Sequence, residues 1–313
     1  MNETVRTYPR IIFMGTPEFA VASLEAIIKN GYNVIAVVTA PDKPAGRGMR
    51  VTETAVKKCA TTHSIPVLQP VKLKDPHFID QLKELHADLQ IVVAFRMLPE
   101  NVWNMPPLGT INLHGSLLPQ YRGAAPINHA LINGEKETGV TTFKLQHTID
   151  TGDILLQKKI KLTENTTAGE LHDEMKSIGA DLLVQTIDGL IKGTLHAIPQ
   201  TVDPDAPLQV APKIQTIDCC IDFNHKVDHV HNQIRGLSPL PGAFTKLHDK
   251  TFKIYFSAKE HTFCNEMPGT PVTDGKNYLK FACKDGYLVC KDVQMEGKKR
   301  MDIESFLRGY RVQ

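Results

Sequence analysis

The chain has one tryptophan and only 6% aromatic residues, and no apolar run approaches the roughly 18 residues that cross a bilayer. Its first residues, M-N-E-T-V-R-T-Y-P-R, are not followed by the apolar stretch of a signal peptide. The expectation is a cytoplasmic protein that neither spans nor binds a membrane. Cysteine is scarce as well. Cys59, Cys219, Cys220, Cys264, Cys283 and Cys290 form no C-x-x-C pair and have no metal-ligand spacing with histidine. They read as reduced thiols, and no metal is expected. Net charge is only +2, and residues 201 to 313 carry 16 Lys+Arg against 14 Asp+Glu, so bulk electrostatics announces no polyanion partner. A local basic patch remains compatible with that balance. A lone Gly15 is not G-x-G-x-x-G, and G-x-x-x-x-G-K-S/T is absent, which argues against a dinucleotide cofactor or a P-loop. There are no repeats and no low-complexity tracts.

What is present is the texture of an ordinary globular protein, 42% hydrophobic and, at 313 residues, long enough for two domains. R-I-I-F-M (10–14) reads as a buried strand ended by Gly15. Thr16 is the expected N-cap, with Pro17 opening a helix to about Asn30, and N-V-I-A-V-V-T (33–39) is a second strand. This β-α-β opening implies a Rossmann-like, doubly wound and mostly parallel sheet. Residues 54–64 and 76–86 read as helices, and I-V-V-A-F (91–95) as a further strand. A-P-I-N-H-A-L-I-N-G gives a helix from Pro126 with Gly134 as its stop. Residues 153–161 read as another strand. Thr167 and Glu170 make a capping box for a long helix to about Lys192. Four prolines between 198 and 212 mark a stiff linker, here bounded as 201–212, between domains at 1–200 and 213–313. After it come a helix near 225–235 and short strands at 243–247, 252–256, 278–282 and 287–293, the spacing of a small β-barrel.

The chemistry-bearing stretch is I-N-L-H-G-S-L-L-P-Q-Y-R-G-A-A-P (111–126). Ile111 and Leu113 alternate with Asn112 and His114, so an amide and an imidazole leave one face of a strand end together. Taken alone, such a pair fits a satisfied polar strand end. A second loop, T-I-D-T-G-D-I-L (148–155), follows the strand-like run G-V-T-T-F-K-L-Q (139–146) and supplies Asp150. If the three meet, Asn112 and His114 can donate hydrogen bonds to an oxygen that becomes negative during acyl transfer, and Asp150 can orient the ring or accept a proton. Ser116, His114 and Asp150 also contain the residue types of a serine triad. However, Ser116 lies in no G-x-S-x-G elbow and follows its base by only two positions. His225, His229 and His231 lie close enough together to invite a metal but lack carboxylate or cysteine support in a known arrangement. The remaining histidines read as structural or solvated.

N-L-H-G-S-L-L-P with R-G-A-A-P, followed by D-T-G-D, resembles the folate-dependent formyltransferase family, from near Arg10 to about Phe306. The resemblance implies formyl transfer from 10-formyltetrahydrofolate, with Asn112, His114 and Asp150 as the catalytic residues. It also implies a donor site at Phe95, Met97, Leu98, Ser116, Leu117, Leu118 and Pro119, with Arg122 holding that loop. The chain departs from the family pattern at Arg96, where a glycine is common, and the 95–99 turn is one residue shorter. The proline-, glycine- and arginine-rich stretch at 41–50 resembles the loop of the tRNA-directed branch, which implies Lys43, Arg47 and Arg50 as contacts to the tRNA acceptor end. The family's C-terminal domain is OB-like. There Lys213, Arg235, Lys298, Lys299 and Arg300 are expected to line a phosphate-binding surface. The acceptor implied is initiator methionyl-tRNA, met by a monomer. An amino-sugar nucleotide, glycinamide ribonucleotide or another small amine is the alternative.

Overall fold

The computed structural model describes residues 8–45, 50–202 and 207–312. The chain divides into two compact units. The first comprises Met1–Arg122, Gly139–Ile160 and Asp173–Gln209, and the second Gly123–Thr138, Lys161–His172 and Val210–Gln313. The 201–212 stretch is therefore the last of several places where the chain passes from one unit to the other.

Seven strands form the first sheet: β1 (Arg10–Gly15), β2 (Asn33–Val38), β3 (Val67–Leu68), β4 (Leu89–Val93), β5 (Thr110–His114), β6 (Glu137–Lys144) and β7 (Ile154–Lys161). Their spatial order is β7-β6-β5-β4-β1-β2-β3. Strands β1 through β5 pair in parallel, and β5 pairs antiparallel with β6. The order runs outward from β1 in one direction and resumes at β4 in the other, so the switch point lies between them. Ligands of open α/β sheets sit beyond the carboxyl ends at such a point. Ile11, Ile12, Phe13 and Met14 are all fully buried, as a strand covered on both faces requires. One face packs Ile12, Met14, Val38 and Val92 against Phe78, Ile79 and Leu82.

Helices α1 (Glu18–Lys29), α2 (Ala55–Thr62), α3 (Pro76–Glu84), the single turn α4 (Glu100–Trp103), α5 (Pro126–Ile132) and α6 (Ala168–Ile191) accompany these strands along the chain. The start of α1 corrects the expected cap. Pro17 rather than Thr16 is the N-cap, with no side-chain cap, and its carbonyl accepts from the amide of Ala20. The capping box of α6 is formed: the Thr167 amide donates to Glu170 Oε2 at 2.8 Å, and the Glu170 amide to Thr167 Oγ1 at 3.3 Å. Strand β4 ends two residues earlier than expected, because Ala94 takes φ +47° and leaves the sheet. Among the described residues no helix is long and apolar enough to cross a membrane.

The second unit is built on an antiparallel sheet with the order β8-β9-β12-β11-β10, and β13 paired on β12. Its strands are β8 (Ala243–Leu247), β9 (Lys250–Glu260), β10 (Pro271–Thr273), β11 (Leu279–Cys283), β12 (Gly286–Met295) and β13 (Met301–Asp302). Register shifts between Ile254 and Phe256 and between Phe256 and Ser257 interrupt the β9–β12 ladder, and bulges of this kind raise local twist and bend strands. The long strands curl as in an OB-like half-barrel. Helices α7 (Val227–Leu237) and α8 (Ile303–Gly309) contribute Val227, Val230, Ile234, Ile303, Phe306 and Leu307 to its core.

Candidate active site

Asn112 and His114 occupy alternate positions of β5 and share a face with their cross-strand partners Phe143 and Thr141 on β6. Leu113 points the other way, against α6, so closely that a Cβ on Gly179 would lie 2.8 Å from its Cδ2. The strand is thus clamped on its apolar side and offers its polar side at the carboxyl end of the sheet. His114 is buried. Its Nε2 lies 2.9 Å from the carbonyl oxygen of Tyr121, an acceptor only, so Nε2 carries the proton. The other ring nitrogen, Nδ1, faces Oδ2 of Asp150 at 3.8 Å. That separation exceeds a hydrogen bond and leaves Nδ1 as the ring atom open to a reacting group. The ring meets Phe143 edge-on, with centroids 6.4 Å apart. Asn112 is half-buried, and its carboxamide makes no hydrogen bond to any described residue.

Asp150 comes from the loop after β6 and takes φ +54°, the left-handed region that non-glycine residues seldom occupy. The loop is held by its neighbours. The Lys144 amide donates to Asp153 O at 3.0 Å, Gln146 Nε2 to Thr151 Oγ1 at 2.9 Å, and Thr151 Oγ1 to Thr148 O at 3.0 Å. Gly152 is obligatory, because a Cβ there would stand 1.6 Å from Lys144 O. Two carbonyls of the loop, those of Asp150 and Gly152, accept hydrogen bonds from Nε2 of Gln200 at 2.9 and 2.8 Å. Sequence reasoning missed Gln200, which lies in the proline-rich stretch; Ile198, beside it, pairs with Ile154 through reciprocal 2.8 Å bonds.

The loop after β5 is equally fixed. Thr141 Oγ1 donates to Ser116 O at 2.7 Å and accepts from the Leu118 amide at 3.2 Å. Gln157 Nε2 donates to Leu118 O and to Thr141 Oγ1, both at 2.9 Å. Leu118 is buried, Leu117 and Pro119 are half-buried, and the Leu118–Pro119 bond is cis. Ser116 is fully buried, and its Oγ donates to Gln120 O at 2.7 Å. With its hydrogen donated to a backbone carbonyl, that hydroxyl makes no hydrogen bond to a base among the described residues, which argues against a serine nucleophile. Arg122, expected to hold this loop, donates from Nε and Nη2 to Oε1 of Gln200 at 3.1 and 2.6 Å, and so is tied to the loop that carries Asp150.

The turn after β4 brings Phe95, half-buried, and Leu98, buried, to the same end of the sheet, while Met97 is 74% exposed. Arg96 ties this turn down. Its Nη1 donates to Val71 O at 2.9 Å and its Nη2 to Pro70 O. Its Nε is buried without a partner, its guanidinium lies 5.5 Å from the Phe95 centroid, and burial pushes its pKa down. The residue that departs from the family pattern therefore acts as a strap.

The expected tRNA contacts are scattered over both units. Lys43 is exposed on the strand Lys43–Ala45, which pairs antiparallel with Arg50–Thr52. The base of this hairpin is pinned where Asp42 accepts from Lys57 Nζ at 2.5 Å and from Gln69 Nε2 at 2.8 Å; Lys57 does most to hold the Asp42 carboxyl below its usual range. Arg47 and the side chain of Arg50 lie outside the described residues. In the second unit Lys213, Lys298 and Lys299 are exposed. Arg300 is exposed but engaged, with its Nε and Nη2 on Asp292 Oδ2 at 2.8 and 2.5 Å and its guanidinium 4.4 Å from the Tyr255 centroid. Arg235 is not on that surface. It is buried, donating through Nη1 to Thr163 O and Thr166 O and through Nε to Asn232 Oδ1, because its position on α7 falls on the apolar face. His231, one turn earlier, is buried between Ser257 Oγ and Glu164 O, so both its ring nitrogens are occupied and it cannot join His225 and His229 around a metal.

The formyl transferase family model matches residues 9–187, and the formyl transferase C-terminal domain model matches residues 213–311. The methionyl-tRNA formyltransferase of Azobacteroides pseudotrichonymphae is 52% identical over 309 residues, covering 96% of this chain and 95% of that protein. The enzyme of the same name from Bacteroides fragilis is 49% identical, covering 97% and 95%. Among solved structures, an N-formyltransferase from Helicobacter canadensis in complex with folinic acid and dTDP-3-aminofucose superposes with a TM-score of 0.68 at 22% identity, covering 91% of this chain and 99% of that one. HypX from Aquifex aeolicus in complex with tetrahydrofolic acid gives 0.61 at 17%, over 96% of this chain and 48% of that one. These two likenesses speak for the fold. With both domain models matched in order, and with relatives near 50% identity along nearly its whole length, the chain belongs to the formyl transferase family.

Proposed function

We propose that this enzyme transfers the formyl group of 10-formyltetrahydrofolate to the α-amino group of initiator methionyl-tRNA, giving N-formylmethionyl-tRNA for translation initiation. The chemistry follows from the three side chains at the end of the sheet. The neutral amine attacks the formyl carbon, and the carbonyl π pair moves to oxygen. The resulting oxyanion accepts hydrogen bonds from the Asn112 carboxamide and from Nδ1–H of His114, whose ring acts as the imidazolium with a proton on each nitrogen before the attack begins. Asp150, facing the same nitrogen, orients the ring and takes the proton lost by the attacking amine, directly or through water. When the tetrahedral adduct collapses, the C–N10 bond breaks and N10 leaves with the proton that Asp150 took from the amine, which returns the carboxylate to its starting form. Preorganised donors of this kind are each worth about 10²- to 10³-fold, and general acid–base assistance adds about 10²- to 10⁴-fold. Phe95, Met97, Leu98 and Ser116 through Pro119 would form the edge of the donor site, with no metal and no covalent enzyme intermediate in the scheme.

The observation that carries the choice of acceptor is the 52% identity, over 96% of the chain, to a methionyl-tRNA formyltransferase, against 22% to a formyltransferase crystallised with an amino-sugar nucleotide. Lys43, Arg47 and Arg50 on one unit, and Lys213, Lys298, Lys299 and Arg300 on the other, would meet tRNA phosphates, fixing the substrate without reading bases. We place the enzyme in the cytoplasm, in keeping with six free cysteines, and read it as acting as a monomer. The test offers methionyl-tRNA, glycinamide ribonucleotide and an amino-sugar nucleotide in turn with 10-formyltetrahydrofolate. Formylation of methionyl-tRNA alone is the expected result, and turnover of either small amine at a comparable rate would overturn the assignment.

A further inference from the structure

Gln200 occupies an unusual place in the hydrogen-bonding scheme. Its amide oxygen accepts from both Nε and Nη2 of Arg122, at 3.1 and 2.6 Å, which fixes which end of the amide is the acceptor. The NH₂ end is thereby turned toward the 148–153 loop, where it donates to the carbonyl oxygens of Asp150 and Gly152 at 2.9 and 2.8 Å. Both ends of the amide are thus committed within the protein. The loop it grips carries the carboxylate that faces His114 Nδ1, and it carries that carboxylate on a residue at φ +54°. A residue with a Cβ is disfavoured in the left-handed region and persists there only where its surroundings hold it. Gly152 is seated against Lys144 O where no Cβ would fit, and its carbonyl is held by Gln200.

We propose that Gln200 is a positioning residue for formyl transfer, holding the Asp150 main chain in its left-handed conformation through a relay anchored by Arg122, and so setting the separation of the Asp150 carboxylate from His114. The relay rests on the functional reading above only in its kinetic consequence; its geometry stands without it. The two donors act on main-chain carbonyls rather than on the carboxylate, so they fix where the carboxylate stands without themselves engaging its oxygens. Loss of those donors removes one hydrogen bond from each of two loop carbonyls and lets the loop relax toward ordinary φ, carrying the carboxylate away from the ring.

The informative variant is Gln200→Glu, which keeps shape and keeps a partner for Arg122 but replaces the two donated hydrogens with an oxygen that repels both carbonyls. With methionyl-tRNA and 10-formyltetrahydrofolate, kcat is expected to fall about 10- to 100-fold, the scale of a 1 Å misplacement, while KM for both substrates stays within about twofold, as for a group acting only in the transition state. Arg122→Ala should lose part of the same factor, and Arg122→Ala/Gln200→Ala together no more than Gln200→Ala alone, because one relay is broken once. A Gln200→Glu enzyme with parental kcat, a loss borne by KM, or additive losses in the double variant would overturn the relay. Nuclear magnetic resonance of the substrate-free protein reads the same geometry: the His114 ring signals are expected to move in Gln200→Glu, and unmoved signals overturn the proposal. If the parent enzyme fails to formylate methionyl-tRNA, the functional reading fails, and the ring signals still decide the relay.

Discussion

Nδ1 of His114 faces Oδ2 of Asp150 across 3.8 Å, while Nε2 of the same ring is spent on the carbonyl of Tyr121 at 2.9 Å. The pairing assigns the two nitrogens different tasks. Nε2 fixes the plane of the ring and Nδ1 is left to the chemistry. Tyr121 sits at φ +61°, so the carbonyl that anchors the ring is itself presented by a left-handed residue in the loop after β5.

Asn112 offers the cleanest separation of catalysis from stability. It is half-buried, and its carboxamide holds no described neighbour. Asn112→Ala is therefore expected to change unfolding free energy by no more than about 0.5 kcal/mol while lowering kcat about 10²- to 10³-fold. Urea denaturation beside steady-state kinetics checks both halves. A variant that loses stability and keeps its rate would make Asn112 a structural residue.

Arg96 should matter for the donor site. Arg96→Gly releases Pro70 O and Val71 O and frees the turn that carries Phe95 and Leu98. A loss of about 1.5–3 kcal/mol is expected, the scale for hydrogen bonds to a charged group. KM for 10-formyltetrahydrofolate should rise, with KM for methionyl-tRNA unchanged. Arg96→Lys should recover only part of this, since an ammonium cannot reproduce the fork that reaches two carbonyls.

The second unit should be acid-sensitive near neutrality. Burial, more than any other cause, lowers the pKa of His231, with the Lys259 and Arg235 cations adding to it. The unfolded chain then takes up this proton before the folded one does. Stability contributed by the neutral ring is complete above the unfolded value of about 6.5 and is lost as pH falls from there through the lower folded value. Urea midpoints of the parent, followed by circular dichroism, should fall as pH is lowered across that window. In His231→Gln the slope should be reduced, and an unchanged slope would place the titrating group elsewhere.

Much of the frame was legible in the sequence because it rests on local rules. The alternation around Asn112 and His114, the Thr167–Glu170 box and the strand spacing of the second unit each follow from a period or a cap. Gln200 was not legible, since nothing local marks a glutamine among prolines as the partner of carbonyls in the loop between β6 and β7. Arg235 and His231 were legible in principle. On α7 they fall at helical spacing with Val227, Val230 and Ile234, so the apolar stripe already places them inward. For these two side chains, position on the helix outweighs charge.

Lys298 and Lys299 differ from Arg300 in a way that kinetics can resolve. The two lysines are exposed, whereas Arg300 is paired with Asp292 and stacked on Tyr255. Lys298→Ala/Lys299→Ala should weaken methionyl-tRNA binding and flatten its salt dependence by about 2 in the log–log slope, with stability unchanged. Arg300→Ala should lower stability as well. Equal salt slopes in parent and double variant would place the tRNA elsewhere.

The most direct test is a crystal structure with a stable N10-formyl analogue of the donor. The formyl oxygen is expected about 2.7–3.1 Å from both Nδ1 of His114 and the Asn112 carboxamide nitrogen, with Nε2 still on Tyr121 O. A formyl group bound away from Asn112, or one that meets Nε2 instead of Nδ1, would contradict the account.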